Sequence, residues 1–169
     1  MSIVVRPVSA TDGAQLLRLN NAAVPAVNEL DDAALRSILG NSHLSIAVVD
    51  ERDPQTVLGF VVTFVAGAPY DSENYRWFEN RSDDFLYVDR IVVADGHRGR
   101  KLGQVLYSAV FEAARDARRR EVFCEVNLQP PNPGSLTFHG RLGFTEVGQQ
   151  ATKGGTVVVS LMAASVDSD

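Results

Sequence analysis

Leu102, Val105, Leu106, Ala109, Val110, Ala113, Ala114 and Ala117 recur at intervals of three and four residues. That spacing lines them up as one apolar stripe along an α-helix, the strongest periodic signal in the chain. A strand-like apolar run at 85–93 precedes the helix. A run at 122–128 follows it, with Val122, Cys124, Val126 and Leu128 on one face and Phe123, Glu125 and Asn127 on the other. The turn between the first strand and the helix reads DGHRGRKLG from Asp95 to Gly103. A helix start leaves backbone N–H groups unpaired and carries partial positive charge. Glycines let a ligand approach the backbone, and Arg98, Arg100 and Lys101 add three cations at one point. Strand, basic glycine-containing turn and helix start make a phosphate-binding arrangement.

Two other phosphate signatures are excluded. No G-x-x-x-x-G-K-[ST] is present, and Gly96, Gly99 and Gly103 do not fit G-x-G-x-x-G. The 169 residues fit a single domain, 1–169, of ordinary globular composition, 45% hydrophobic and 22% charged. A net charge of −5 argues against broad contact with nucleic-acid phosphates and leaves 98–101 as a concentrated cationic spot. The second basic cluster, Arg115 with Arg118, Arg119 and Arg120, suits the negative end of the helix dipole. One cysteine, Cys124, excludes an internal disulfide, and His43, His97 and His139 lack metal-ligand spacing. The N-terminus has no signal-peptide pattern, and the most apolar run, 57–68, is too short to span a bilayer. The expectation is a cytoplasmic monomer or homodimer with no metal and no nucleic-acid or membrane partner.

Strands are expected at 3–8, 43–49, 57–66, 85–93, 122–128, 144–150 and 156–162. Helices are expected at 11–21, 31–39, 102–117 and 133–143, the last capped by Asn132 and started by Pro133. The stretch 67–84 is long for a plain loop, and 73–80 reads as a short helix within it. An antiparallel group of strands that gives way to alternating strands and helices predicts an α+β fold, a mixed sheet covered by helices on both sides.

The basic turn and a later segment resemble the GNAT superfamily of acyl-CoA-dependent N-acetyltransferases. The family's pyrophosphate loop reads Gln/Arg-x-x-Gly-x-Gly/Ala. Arg98 and Gly103 match it, and Lys101 stands where Gly is usual. With helical dihedrals Lys101 keeps its N–H available; only a positive φ would count against it. The family's late motif reads Asn-x-x-Ala/Ser-x-x-Phe-Tyr-x-x-Leu-Gly-Phe. Asn132, Ser135, Phe138, Leu142, Gly143 and Phe144 match it, with His139 in the Tyr position. The resemblance is close over 85–150 and extends before that only to the order of elements. It implies the GNAT fold: a central, mostly antiparallel sheet of about seven strands, a splayed parallel pair, and helices on both faces.

The resemblance further implies acetyl-CoA as cosubstrate. Arg98, Gly99, Arg100, Lys101, Leu102 and Gly103 would hold it, with Ile91, Val92 and Val93 through backbone N–H groups, and with Asn132, Ser135 and Phe138. The acceptor would be a primary amine of a small molecule or a peptide amino terminus. It is expected against Asn21, Asn28, Glu29, Tyr70, Tyr75 and Trp77, where the carboxylates Asp71 and Glu73 beside aromatic faces suit a cation. Acyl transfer needs a deprotonated amine, a polarised carbonyl and a thiolate that can leave. Glu125 is expected as the base, with Asp89 and Tyr87 as rivals. Arg90 is expected on the face opposite Asp89, in a structural ion pair. His139 is expected to protonate the thiolate in place of the usual tyrosine. Cys124 is not expected as a nucleophile. The alternative is a non-catalytic acyl-CoA-binding or sensing module, which would keep the loop and need no base.

Overall fold

A computed structural model describes residues 2–97 and 101–166. The strands are β1 (Ile3–Pro7), β2 (Leu44–Asp50), β3 (Gly59–Val65), β4 (Phe85–Val93), β5 (Glu121–Gln129), β6 (Thr145–Thr152) and β7 (Val157–Ser165). The helices are α1 (Gly13–Ala22), α2 (Asp32–Asn41), α3 (Glu73–Arg81), α4 (Leu102–Asp116) and α5 (Pro133–Arg141). Their starts follow the sequence chemistry. The Asp31 side chain accepts from the Ala34 N–H, Ser72 from Tyr75 and Asn132 from Ser135, each satisfying a donor of a first turn. The short helix expected at 73–80 is α3.

The strands form one sheet in the order β1-β2-β3-β4-β5-β7-β6. Every neighbouring pair is antiparallel except β4 and β5, which run parallel. Both faces of the sheet are covered. One face packs Phe60, Phe64, Tyr87 and Phe123 against Leu16 of α1, Leu35 of α2 and Tyr75 and Phe78 of α3. The other packs Val61, Leu86, Val88, Val122 and Cys124 against Leu102, Leu106, Tyr107 and Val110 of α4. The apolar runs in the middle strands reflect burial on both sides, while alternation decides which helix layer each side chain meets.

Two irregularities shape the sheet's centre. The parallel pair is bonded only where Phe85, Leu86 and Tyr87 meet Glu121, Val122 and Phe123. Beyond that point β4 stays with β3 and β5 stays with β7, so a wedge opens between them. The second is a bulge. Val62 faces Arg90 and Thr63 faces Val88, which leaves Asp89 as an extra residue on β4. The sequence reading put Asp89 and Arg90 on opposite faces by strict alternation. The bulge overrides this, and the two side chains pair with each other at 2.7 Å.

Helix α3 is anchored by Trp77, whose indole packs against Gly148 of β6. A Cβ at Gly148 would stand 2.6 Å from a ring carbon. Gly148→Ala is therefore expected to cost about 1–3 kcal/mol through overpacking, read as a lower midpoint in chemical denaturation.

Candidate active site

A cleft of about 360 Å³ follows the wedge through the sheet. On the α1–α3 side it is walled by the segment 23–28, by Tyr70 and Asn74, and by Lys153 of the β6–β7 turn. On the α4–α5 side its wall includes Ile91, Tyr107, Cys124, Asn132, Ser135 and His139. Glu125 sits where the two halves join.

Glu125 is half-buried and lines the cleft. The Tyr87 hydroxyl donates across both carboxylate oxygens, at 2.7 Å and 2.9 Å. Burial, reinforced by the nearby charge of Asp89, pushes the Glu125 carboxyl up to about 8. Hydrogen bonding from Tyr87 and Asn74 and the charge of Arg90 oppose the rise without cancelling it. The Asn74 carboxamide is itself oriented by Gln150, whose Nε2 donates to Asn74 Oδ1 at 2.9 Å.

Asp89 and Arg90 form a buried polar knot. Arg90 donates from Nε to Asp89, from one terminal nitrogen to Asn20 at 2.8 Å and from the other to Asn28 at 2.9 Å. Asp89 also accepts from the Tyr70 hydroxyl. Asn20 donates to Asn21 and to the Asn28 carbonyl, and Asn21 exchanges two bonds with the Leu30 backbone. The Asn127 amide donates to the Pro25 carbonyl at 2.8 Å. The segment 23–31, one wall of the cleft, is thus tied to β4 and β5 through side chains rather than through a ladder.

The site residues named from the sequence divide accordingly. Glu125, Asp89, Tyr70, Asn28, Ile91, Asn132, Ser135 and His139 line the cleft. Tyr87 lies just behind Glu125 and is fully buried, which raises its phenol well above the ordinary value. Asn21 braces the wall without lining it, and Glu29 is exposed outside it. Tyr75 is buried in the core with its hydroxyl on the Val65 carbonyl, and Trp77 packs on β6. Val92 is buried on the α1–α3 face. The Ala94 amide bonds the carbonyl of Leu58, the residue before β3, at 2.8 Å, so alternation turns the amides of Val93 and Ile91 toward the open wedge. Arg98, Gly99 and Arg100 lie outside the described residues. Leu102 is buried, and Gly103 lets the Phe138 ring approach α4, since a Cβ there would stand 2.9 Å from the ring.

His139 is buried, with 4% of its surface exposed. Its Nδ1 lies 2.8 Å from the Ser135 carbonyl, which can only accept, so Nδ1 carries the proton. Its Nε2 lies 2.7 Å from the Tyr107 hydroxyl and accepts from it. Burial holds the imidazole below its ordinary pKa, so it is neutral near neutral pH and has no second proton to give. The sequence reading missed Tyr107. It lies in register with Val110 and Ala114 of the apolar stripe at i, i+3 and i+7, a signal available in the sequence. Asn74 and Gln150 carried no signal, because only the tertiary fold brings β6 beside α3.

The parted parallel pair with a raised carboxyl at its opening has the chemistry to hold an extended ligand and to take a proton from a nucleophile. The profile of the Acetyltransferase (GNAT) family matches residues 15–144. The chain belongs to that family and is an acyltransferase. Among solved structures it is similar to Ard1 from Thermoplasma volcanium, at 15% identity and a TM-score of 0.79 over 99% of both chains. It is similar to Arabidopsis thaliana NAA60 in complex with acetyl-CoA, at 17% identity and a TM-score of 0.77 over 98% of this chain and 100% of that one. It is also similar to yncA from Salmonella typhimurium with its cofactor acetyl-CoA, at 19% identity and a TM-score of 0.70 over 99% of this chain and 95% of that one. These likenesses carry the fold expected from the sequence. No curated protein matches the chain. Among the described residues no cluster of His, Cys, Asp and Glu could hold a metal, and no helix is long and apolar enough to cross a membrane.

Lys101 departs from the expected helical dihedrals: φ is 61° and ψ is 26°, in the left-handed region. The family's usual glycine at this position has a physical reason, since a side chain there costs about 1–2 kcal/mol. Lys101→Gly should hold or raise the melting temperature, because relief of that cost outweighs or balances the added freedom of the unfolded chain. Lys101→Val should lower it; thermal unfolding reads both.

Proposed function

We propose that this protein transfers an acetyl group from acetyl-CoA to a primary amine, of a small molecule or a peptide amino terminus, by direct attack. Glu125 is the base. The observation that carries this reading is the Glu125 carboxyl, raised to about 8 at the mouth of the wedge and gripped by Tyr87. A carboxyl on a solvated face would titrate far lower and be too weak a base for an ammonium donor. Asp89 is a poorer base, because Arg90 and Tyr70 already occupy its oxygens. Its charge instead helps keep the Glu125 proton affinity high.

The amides of Ile91 and Val93 suit the thioester carbonyl and the amide-bearing arm of the donor. The start of α4, with Lys101 and the preceding arginines, suits its pyrophosphate. The acceptor enters from the α1–α3 side, past Asn28, Tyr70 and Asn74. The similarity to NAA60 and yncA bound to acetyl-CoA supports the donor; the acceptor rests on the cleft's chemistry.

The ionised form of Glu125 is the active one, and a raised pKa means it accumulates only as pH rises. At pH 7 about one molecule in ten carries it. The single-turnover rate should therefore rise from pH 6 to pH 8.5 with an apparent pKa near 8. Glu125→Gln should remove that limb and slow transfer by about 10²–10⁴-fold, with acetyl-CoA affinity unchanged. An unaltered rate and profile in Glu125→Gln would refute the assignment.

Calorimetry tests the donor side. Arg98→Ala should weaken acetyl-CoA binding by about 1.5–3 kcal/mol, the usual worth of a charge-assisted phosphate contact. A folded parent that binds neither CoA nor any acyl-CoA would remove the reading altogether.

A further inference from the structure

We propose that Asn74 is a positioning residue for Glu125: Gln150 of β6 turns the Asn74 carboxamide so that its N–H group holds the carboxylate, which keeps a free lone pair toward the cleft; this rests on the acetyl-transfer reading above. Asn74 lies in the first turn of α3, half-buried in the cleft wall. Helix α3 is clasped to β6 and its following turn at three places, in order along both. Trp77 packs against Gly148. Asn74 Oδ1 accepts from Gln150 Nε2 at 2.9 Å. The Glu73 carboxylate accepts from the Lys153 amide at 3.3 Å. The Ser72 side chain caps the same turn of the helix. A carboxamide flanked by contacts on both sides has little freedom to swing away.

The orientation of that carboxamide is settled from both ends. An ionised carboxylate only accepts, so it can be met only by the N–H side of Asn74. The Asn74 side chain hydrogen-bonds Glu125 in that sense and favours its ionised form. Gln150 donates to the opposite end, the Asn74 oxygen. A flipped Asn74 would set oxygen against oxygen at Glu125 and N–H against N–H at Gln150, losing both bonds. Tyr87 and Asn74 thus donate to Glu125 from two different elements, β4 and α3. A carboxylate offers about four lone-pair sites, and those the two donors leave free open on the cleft.

In the transfer, an N–H bond of the ammonium breaks and its electron pair stays on nitrogen for attack on the acetyl carbon. The proton goes to a free Glu125 lone pair, and Asn74 and Tyr87 keep their own protons. The other groups that act on Glu125 are Asp89 and Arg90 on β4 and Tyr70 before α3, with Cys124 and Tyr107 on the α4 side. Glu73 and Lys153 stand at the rim of the cleft. All of these remain when Asn74 or Gln150 loses its carboxamide, so a change at Glu125 in such a variant reports the carboxamide pair.

The test reads Glu125 directly and through the reaction. NMR of protein labelled at the glutamate carboxyl carbon, with Glu125→Gln to assign the signal, follows Glu125 ionisation with no substrate present. Asn74→Leu, which keeps the volume and removes the donor, should raise the Glu125 midpoint by about one pH unit. Gln150→Met should raise it by less. The double variant should match Asn74→Leu, because Gln150 acts through Asn74. In single-turnover transfer to the best amine from a panel of primary amines and free-amino-terminal peptides, Asn74→Leu should be about tenfold slower at pH 7 and within about twofold of the parent above the shifted limb. Packing damage alone would slow transfer at every pH. An unmoved midpoint in Asn74→Leu overturns the proposal. So does a rate deficit of equal size across the pH range, or a double variant in which the two shifts add. A parent that transfers acetyl to no acceptor, whatever its Glu125 midpoint, overturns the acetyl-transfer reading and the positioning role with it.

Discussion

The site depends on one constraint: β4 and β5 are hydrogen-bonded over three residue pairs and then part. Each strand has a better partner on its other side, β3 for β4 and β7 for β5, and those ladders continue while the central one stops. Parted strands leave backbone amides and carbonyls facing a gap, and such groups are costly unless something pairs with them. A gap of this kind favours an extended ligand that brings its own amides and carbonyl. The same gap lets side chains from both faces of the sheet address one point, which an intact ladder would forbid.

The bulge at Asp89 settles what stands around that gap. By adding a residue to β4 it turns Asp89 and Arg90 to the same side, where they form an ion pair. Arg90 then spends its remaining donors on Asn20 and Asn28, and so holds the segment 23–31 against the sheet. A buried guanidinium without these acceptors would be strongly destabilising, so the knot holds together as a unit. Asp89 acts through its charge, and Glu125 feels that charge.

Burial favours the neutral form of three neighbouring groups. Glu125 is raised, so it takes a proton readily. His139 is lowered, so it stays neutral. Tyr107 is raised, so it stays protonated. All three follow from one rule, that a low-dielectric environment disfavours the charged form. His139 occupies the position where the family's tyrosine is usual, and the structure puts a tyrosine from a different helix against it.

Local and periodic information was enough for much of this protein. The stripe from Leu102 to Ala117 marked α4, the alternation from Val122 to Leu128 marked β5, and Asn132-Pro133 marked the start of α5, because each depends only on spacing and caps within one element. The family followed from two short motifs. Four things were not legible: the shared face of Asp89 and Arg90, the left-handed Lys101, the partnership of Tyr107 with His139, and the bracing of Asn74 by Gln150. Three of them depend on residues up to 76 positions apart or on a register shift between strands, and the Lys101 conformation is a backbone property that side-chain spacing does not encode. The sequence by itself determined which segments become helices and strands and which side chains were available for chemistry. Only the tertiary structure decided which of them meet, because burial, and with it every proton affinity at the site, arises when separate elements close over the same point.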